Sequence, residues 1–293
     1  MVNFGRVLTA MVTPFTAEGD VDYQAASKLA LKLVENGSDG LVIAGTTGES
    51  PTLSIDEKIR LFSTVVETVG GKATVIAGTG TNDTKKSIEL TREAEKTGVD
   101  GIMAVAPYYN KPPQEGLFQH FKAIAETTSL PVMIYNIPGR TGINIVPQTM
   151  ARLAQVDNIV ALKEAAGDLN QAAEMTRILP KDFLVYSGDD SLTLPIMSVG
   201  GVGIISVAAH VVGRRIKAMV DDYVQGRIEE AAKTHRELLP LFKVLFITAN
   251  PIMVKSALKL LGFEVGSLRL PLIDATSEQV EELKSVLQGL GLI

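Results

Sequence analysis

The sequence alternates short apolar runs with longer helix-patterned segments, and it does so eight times before about residue 210. The apolar runs are rich in Val and Ile and mostly continuous, which is typical of strands covered on both faces. We predict eight strands, at Val7–Val12, Gly40–Ala44, Thr74–Ala77, Gly101–Val105, Val132–Tyr135, Ile159–Leu162, Leu184–Tyr186 and Val202–Val207. Strand–helix alternation predicts a parallel sheet with crossover helices, such as Tyr23–Glu35, Ile55–Val69 and Thr84–Lys96.

Eight strand–helix units favour an α/β fold of the closed (β/α)8 TIM-barrel type over an open doubly wound sheet. An open sheet that binds a dinucleotide should show G-x-G-x-x-G after its first strand, and none is present there. Two joints repeat the same pattern of helix end, glycine and strand start. We expect their glycines, Gly37 and Gly98, to adopt a left-handed conformation.

The alternating pattern ends after Val211–Val224, which we predict to be the last barrel helix. The rest of the chain has helical patterns only, at Ile228–Phe246, Pro251–Leu261 and Ser277–Leu287, with Ser277 as a helix start. We therefore predict a catalytic barrel over residues 1–225 and a three-helix C-terminal subdomain over residues 226–293.

Composition excludes several classes of function. A net charge of −5 and a pI near 5.4 argue against a nucleic-acid surface. Cysteine is absent, which excludes disulfides and thiolate catalysis and fits a cytoplasmic location. The N-terminal segment has no long apolar stretch, so we expect no signal peptide. No apolar run reaches the roughly 18 residues that a membrane span needs.

A lysine follows the sixth predicted strand. Residues Ile159–Leu162 are all apolar, and Lys163 comes directly after them. One interpretation is a surface lysine whose stem lies on apolar wall while its charge reaches water. The other is a desolvated amine with a lowered pKa that can form a Schiff base. The segment alone favours the first interpretation, but a place among eight barrel strand ends favours the second.

The turn after the second strand, Gly45–Ser50, is rich in hydroxyls and glycine. Its Thr46 and Thr47 could present N–H and O–H donors to a carboxylate. Alternatively, Thr47 or Ser50 simply caps the next helix. The residues alone leave both interpretations open.

Aromatic and basic residues follow the fourth and fifth strands. Tyr108 and Tyr109 lie in a proline-bounded loop, which suggests an interface or a substrate site. Tyr135 could transfer protons, and Arg140 could hold a carboxylate with two hydrogen bonds. The alternatives are a half-buried core tyrosine and a solvated arginine.

The last two strands lead into Ser187–Asp190 and start from Gly200–Gly203. The two aspartates disfavour a phosphate site, and the glycines let a ligand approach the backbone. We expect no cofactor and no metal, with surface or capping roles for the widely spaced His120, His210 and His235. Hydroxyls, one arginine and one lysine suit imine chemistry on an oxo-acid.

Several segments together resemble the dihydrodipicolinate synthase family, within the pyruvate-dependent class I aldolase superfamily. They are GTTGES at Gly45–Ser50, YYN at Tyr108–Asn110, YNIPGRTG at Tyr135–Gly142, ALKEA at Ala161–Ala165, SGDD at Ser187–Asp190 and GGVGIISV at Gly200–Val207. The resemblance covers the whole chain. It implies condensation of pyruvate with aspartate semialdehyde, on the route to diaminopimelate and lysine.

The resemblance also implies residue roles. Lys163 would form the Schiff base and Tyr135 would be the acid/base. Thr46 would connect Tyr135 to Tyr109, which would come from the neighbouring subunit of a homotetramer built as a dimer of dimers. Thr47 would bind the pyruvate carboxylate and Arg140 that of the semialdehyde, and Gly188 and Ile205 would line the pocket with backbone groups.

Physical chemistry agrees with an amine nucleophile. A free lysine has a pKa of about 10.4, and burial together with the charge of Arg140 should lower the pKa of Lys163. Adjacent side chains of a strand alternate, so Glu164 should face the helix layer and leave that effect intact.

Some family members bind lysine as a feedback inhibitor in a cleft between subunits, and this sequence differs from them at the positions that hold it. The His or Glu residues expected there are replaced by Ile55, Lys58 and Lys86, although Ser50, Asn82 and Tyr108 remain. Because cations repel a second ammonium group, we predict weak or no inhibition by lysine.

Two other functions are compatible with part of this pattern. An aldolase for a sialic acid or a keto-deoxy sugar acid would share Lys163 and Tyr135, but Arg140 favours a short second substrate with its own carboxylate. A barrel that only binds an oxo-acid would not need the full Lys, Tyr and Thr set.

Overall fold

Residues 2–293 are described by a computed structural model. Eight parallel strands close into a barrel in chain order, and the eighth pairs with the first. The strands are β1 Val7–Ala10, β2 Gly40–Ile43, β3 Thr74–Gly78, β4 Gly101–Val105, β5 Val132–Asn136, β6 Ile159–Glu164, β7 Leu184–Ser187 and β8 Gly203–Ser206. The predicted (β/α)8 barrel is thus confirmed.

Helices surround this barrel and continue beyond it. They are α1 Tyr23–Glu35, α2 Ile55–Val69, α3 Thr84–Glu95, α4 Gln114–Ala125, α5 Pro138–Thr141, α6 Pro147–Leu153, α7 Leu169–Ile178, α8 Thr193–Ser198, α9 Ala209–Val224, α10 Ile228–Val244, α11 Ile252–Leu260 and α12 Ser277–Gly289. Within residues 2–293, every helix is too short or too polar to cross a lipid bilayer.

Local capping differs from the prediction at helix α2. Ser54 caps α2 in a capping box with Glu57, so the interpretation of Thr47 or Ser50 as its cap is wrong. Helix α12 begins at Ser277, as predicted, and Thr276 caps it, because its side chain accepts the N–H of Gln279. The helix-ending glycines predicted to be left-handed do have positive φ, +98° at Gly37 and +82° at Gly98.

Strand alternation divides the apolar residues into two layers. On β6, Ala161 belongs to the apolar cluster inside the barrel, whereas Leu162 belongs to the layer between strands and helices. By the same alternation, the side chain of Lys163 points into the barrel and that of Glu164 points toward the helices. The amine therefore starts inside the barrel.

The C-terminal helices share the outer apolar layer. Helix α10 packs on α9, and α11 packs on both α9 and α12. Leu241, Leu258 and Leu283 are buried in the same core cluster as the barrel's outer layer. The division after residue 225 stays a prediction, and the shared core shows that the C-terminal helices are held firmly against the barrel.

Two histidines are buried, and their prediction as surface or capping residues is wrong. Burial lowers the pKa of His120 and of His210 to about 4. His210 lies between strand and helix, where Nε2 accepts the N–H of Val12 and Nδ1 is 2.8 Å from the carbonyl of Val207. It therefore ties the segment after β1 to the segment that leads from β8 into α9.

Candidate active site

Lys163 lies inside the barrel near the carboxyl end of β6. It pairs in register with Tyr135 on β5, and its Nζ is 4.2 Å from the centre of the Tyr135 ring. Only 5% of the residue is exposed. The strand continues one residue past Lys163 because Asn136 pairs with Glu164. The surface-lysine interpretation is thus wrong.

Gly188 lies directly against this amine's stem. A Cβ at Gly188 would be 3.2 Å from Cε of Lys163 and 2.8 Å from Cβ of Ala165. The second distance is shorter than real Cβ contacts allow, so only glycine fits without a shift of the chain. The structure therefore places Gly188 beside Lys163, and its part in binding substrate stays a prediction.

The environment lowers the pKa of Lys163 to about 7, chiefly through burial. The carboxylate of Asp190 opposes this change, and the guanidinium of Arg140 adds to it. At neutral pH a large fraction of the amine is therefore uncharged and nucleophilic. Burial and Arg140 were predictable from sequence, whereas the opposing charge of Asp190 was not identified.

Asp190 is a buried acid that organises the end of β8. Its carboxylate accepts the N–H groups of Val207 and Ala208, each at 3.0 Å, and the hydroxyl of Ser206. Burial raises its pKa, and these hydrogen bonds oppose the rise. The signal in the sequence was the pair of acids, Asp189 and Asp190, shortly after the seventh predicted strand. Asp189 only caps its own turn, through the N–H of Ser191.

Tyr135 is buried, and burial raises its pKa to about 12. Arg140 and the hydroxyl of Thr46 work in the opposite direction. The phenol is therefore protonated at neutral pH beside a partly neutral amine. In this state Tyr135 can donate a proton to a leaving hydroxyl, and Thr46 is placed to assist.

A cavity of about 600 Å³ opens above the barrel at these strand ends. Thr46, Tyr135 and Arg140 line it together with Lys58 and Lys86, whereas Lys163 and Thr47 are not among its lining residues. Among the described residues, none of those lining it is an aspartate or glutamate. Cationic side chains without acids favour a negatively charged ligand.

Thr47 and Arg140 meet at Asn250, which lies between two of the predicted C-terminal helices. Nδ2 of Asn250 donates to Oγ1 of Thr47 at 2.8 Å. Nη2 of Arg140 donates to the backbone oxygen of Asn250 at 3.3 Å. The two predicted carboxylate-binding residues are thus joined through one residue of the C-terminal region.

The turn that carries Thr47 is also tied by a buried ion pair. Nζ of Lys255 on α11 lies 2.7 Å from Oε1 of Glu49, and their side chains are 1% and 0% exposed. Oε2 of Glu49 accepts the N–H of Arg269 at 3.1 Å. The signal in the sequence was Lys255 itself, which helical periodicity places among the buried residues of an apolar helix.

Glu164 points away from Lys163, as predicted. Its carboxylate accepts hydrogen bonds from Asn136 and from Gln171 on α7. Burial raises its pKa. Its charge is directed into the helix layer, and the pKa of Lys163 responds to Asp190 and Arg140 instead.

Two predicted site residues lie at the edge of this arrangement. Tyr109 is 89% exposed with a φ of +73°, and it is not among the residues that line the cavity. Ile205 is buried, and its side chain belongs to the barrel interior. The structure brings Thr46, Tyr135, Lys163 and Arg140 together within one chain, and a place for Tyr109 beside them stays a prediction.

The fold and the site define a (β/α)8-barrel enzyme with a buried amine beside Tyr135, which lines a cavity whose described lining residues include no acid. A sequence profile of the Dihydrodipicolinate synthetase family matches residues 3–290. A relative from Desulforamulus reducens, named 4-hydroxy-tetrahydrodipicolinate synthase, is 63% identical over 293 residues, covering 100% of this chain and 99% of the relative.

Solved structures agree with the profile. The structure of a dihydrodipicolinate synthase from Bacillus anthracis has a TM-score of 0.96 at 49% identity and covers 98% of this chain and 99% of its own. That of the enzyme from Cyanidioschyzon merolae with lysine bound has a TM-score of 0.97 at 51% identity, with 99% of both chains covered. The chain belongs to the dihydrodipicolinate synthetase family.

Proposed function

We propose that the protein is a 4-hydroxy-tetrahydrodipicolinate synthase, a lyase that condenses pyruvate with L-aspartate 4-semialdehyde. The observation that carries this proposal is Lys163, a buried amine with a pKa of about 7 at the end of β6. Full-length relatives of that name support the choice of substrates. We propose no cofactor and no metal.

The reaction begins with attack of the neutral amine of Lys163 on the keto carbon of pyruvate. A C–N bond forms, and the carbonyl oxygen leaves as water after it has received protons. Tyr135 is the donor, because its raised pKa keeps the phenol protonated. Loss of a proton from the methyl group then gives an enamine, whose carbon forms a new bond to the aldehyde carbon of the second substrate. Attack by that substrate's own amine closes the ring and releases Lys163.

Two side chains, one with a hydroxyl and one with a cation, would hold the carboxylates of the substrates during these steps. Thr47 would bind the pyruvate carboxylate, and Arg140 at the cavity wall would bind the carboxylate of the semialdehyde. Gly188 and Ile205 would contribute backbone groups, with Gly188 lying against the stem of Lys163. Held this way, the keto carbon lies close to the amine.

The proposed assembly is a homotetramer made of two tight dimers. The support is Tyr109, whose ring extends into solvent in the single chain and is free to reach a neighbouring subunit. There it would complete a proton relay with Thr46 and Tyr135. A cytoplasmic location and the absence of nucleic-acid and membrane partners remain predictions.

The test is a mass-spectrometric assay with pyruvate and L-aspartate 4-semialdehyde. We expect a cyclic product whose mass is the sum of both substrates minus water. The sugar-acid alternative predicts no such product, and instead release of pyruvate from a sialic or keto-deoxy sugar acid. That result would overturn the proposed substrates, whereas the imine on Lys163 would stand.

Lysine is expected to inhibit this enzyme weakly or not at all. Lys58 and Lys86 line the cavity, where none of the described lining residues is an acid that could pair with a lysine ammonium. Inhibition is measured by titrating lysine into the condensation assay. Replacing Lys86 by glutamate should increase the affinity for lysine, since it removes one repulsive charge and adds an attractive one. A sub-millimolar inhibition constant for the unmodified protein would contradict the prediction.

Imine formation is expected to become faster as pH rises through about 7. The pKa of Lys163 is lowered to about 7, so the reactive neutral amine increases above that pH. Asp190→Asn removes the charge that opposes this lowering, and should move the acid limb of the pH profile to a lower pH. The measurement is the rate of borohydride trapping of pyruvate from pH 5 to 9. An unchanged limb in the variant would show that Asp190 does not act on the amine.

A further inference from the structure

We propose that Asn250 is a positioning residue that orients both carboxylate anchors of the active site. The inference rests on the proposed function, in which Thr47 and Arg140 hold the substrate carboxylates. It adds a residue from outside the barrel, one that precedes α11 by two positions. Its contacts with each anchor, its burial and its attachment to the rest of the chain all support this role.

The first contact fixes the direction of the Thr47 hydroxyl. Nδ2 of Asn250 donates to Oγ1 of Thr47 at 2.8 Å, so an oxygen lone pair of Thr47 is occupied. A hydroxyl has one proton to donate and two lone pairs that accept. With Asn250 as the donor, the Thr47 proton remains available for a carboxylate oxygen. An acceptor in place of that N–H would take the proton instead.

The second contact restrains Arg140. Nη2 of Arg140 donates to the backbone oxygen of Asn250 at 3.3 Å. Both anchors therefore touch one residue, one through its side chain and the other through its backbone. A shift of Asn250 would move the two carboxylate-binding groups together.

The burial of Asn250 argues against a purely stabilising role. The residue is 6% exposed, and its side-chain oxygen Oδ1 has no hydrogen-bond partner among residues 2–293. An unsatisfied buried acceptor costs stability. Asn158 offers the contrast, because its Nδ2 donates to three backbone carbonyls beside the start of β6, at the opposite end of the barrel.

A second link holds Asn250 in place relative to the turn that carries Thr47. Glu49, two residues after Thr47, forms a buried ion pair with Lys255, five residues after Asn250. The turn and the segment before α11 are thus joined at two points. The pair keeps the amide of Asn250 directed at Thr47.

The test compares Asn250→Asp, Asn250→Ala and the control Asn158→Ala in the condensation assay. Asn250→Asp keeps the shape of the side chain but turns the donor into an acceptor with a negative charge beside two carboxylate anchors. We expect its KM for pyruvate to rise at least about tenfold. Asn250→Ala should raise KM less, and Asn158→Ala should lower Tm while KM stays within about twofold.

The order of the two Asn250 variants decides the outcome. A stabilising role predicts that alanine, which removes more packing, is the worse substitution and that KM follows Tm. A positioning role predicts that aspartate is worse at a similar Tm. Equal KM values in both variants and the unmodified protein would overturn the inference while borohydride trapping of pyruvate by the unmodified protein still supports the proposed function. Failure of that trapping would overturn both.

Discussion

Replacing Lys163 by methionine is expected to abolish borohydride trapping of pyruvate and to lower turnover by on the order of 10⁴-fold or more. Methionine has nearly the length of lysine and suits the barrel interior, where Lys163 is buried beside the ring of Tyr135. The fold should therefore persist, with Tm close to that of the unmodified protein. The loss follows because the variant lacks the amine that is proposed to form the imine at the end of β6.

Lys58 provides the matched control. It is also a buried lysine, on the wall of the cavity that Tyr135 lines, and burial also lowers its pKa. Lys58→Met should leave trapping at Lys163 intact, since Lys58 lies on helix α2 and not at a strand end. The peptide that carries the reduced adduct identifies the amine by mass. An adduct that persists in Lys163→Met would contradict the assignment, and no adduct in the unmodified protein would favour the barrel that only binds an oxo-acid.

The barrel was predictable from sequence because its signal is local and repeated. Each strand is a short apolar run followed by a helix pattern, and helices such as α1 and α2 have the bounds that periodicity predicts. The sixth strand was placed two residues short because the apolar run stops at Leu162. The sheet continues through Lys163 and Glu164, since pairing with β5 and β7 satisfies their backbone groups whatever the side chain.

The contacts that hold the site together were not predictable in the same way. Thr47 and Asn250 are 203 residues apart in sequence, and the turn Ala249–Pro251 shows no sign of a partner. The same holds for Glu49 and Lys255, although Lys255 in an apolar helix indicates a buried charge that needs a partner. Long-range pairing depends on how α11 packs on the barrel, which periodicity alone does not specify.

Removing the buried lysine of α11 is expected to destabilise the protein strongly. Lys255→Met leaves the carboxylate of Glu49 without its cation in a site where neither side chain is exposed beyond 1%. We expect the free energy of unfolding to fall by about 3–5 kcal/mol, as for other broken buried ion pairs. Denaturant titration measures this change. KM for pyruvate should rise as well, because Glu49 belongs to the turn that carries Thr47.

The backbone of Glu49 strengthens this expectation. Its φ of +55° lies in the left-handed region, which costs a residue other than glycine on the order of 1 kcal/mol. Such a conformation persists only where surrounding contacts hold it. The ion pair with Lys255 and the hydrogen bond from the N–H of Arg269 are those contacts, so losing one of them releases the turn.

Two further variants distinguish two causes of the expected loss of stability, an unpaired buried charge and a lost contact. The exposed pair Lys96–Glu93 has the same 2.7 Å separation, and Lys96→Met should change the free energy of unfolding by no more than about 1 kcal/mol. Combining Lys255→Met with Glu49→Gln removes both charges, and the amide oxygen of the introduced glutamine can still accept the N–H of Arg269. The double variant should therefore regain much of the lost stability. If Lys255→Met is no less stable than Lys96→Met, the buried pair does not hold α11 to the turn that carries Thr47.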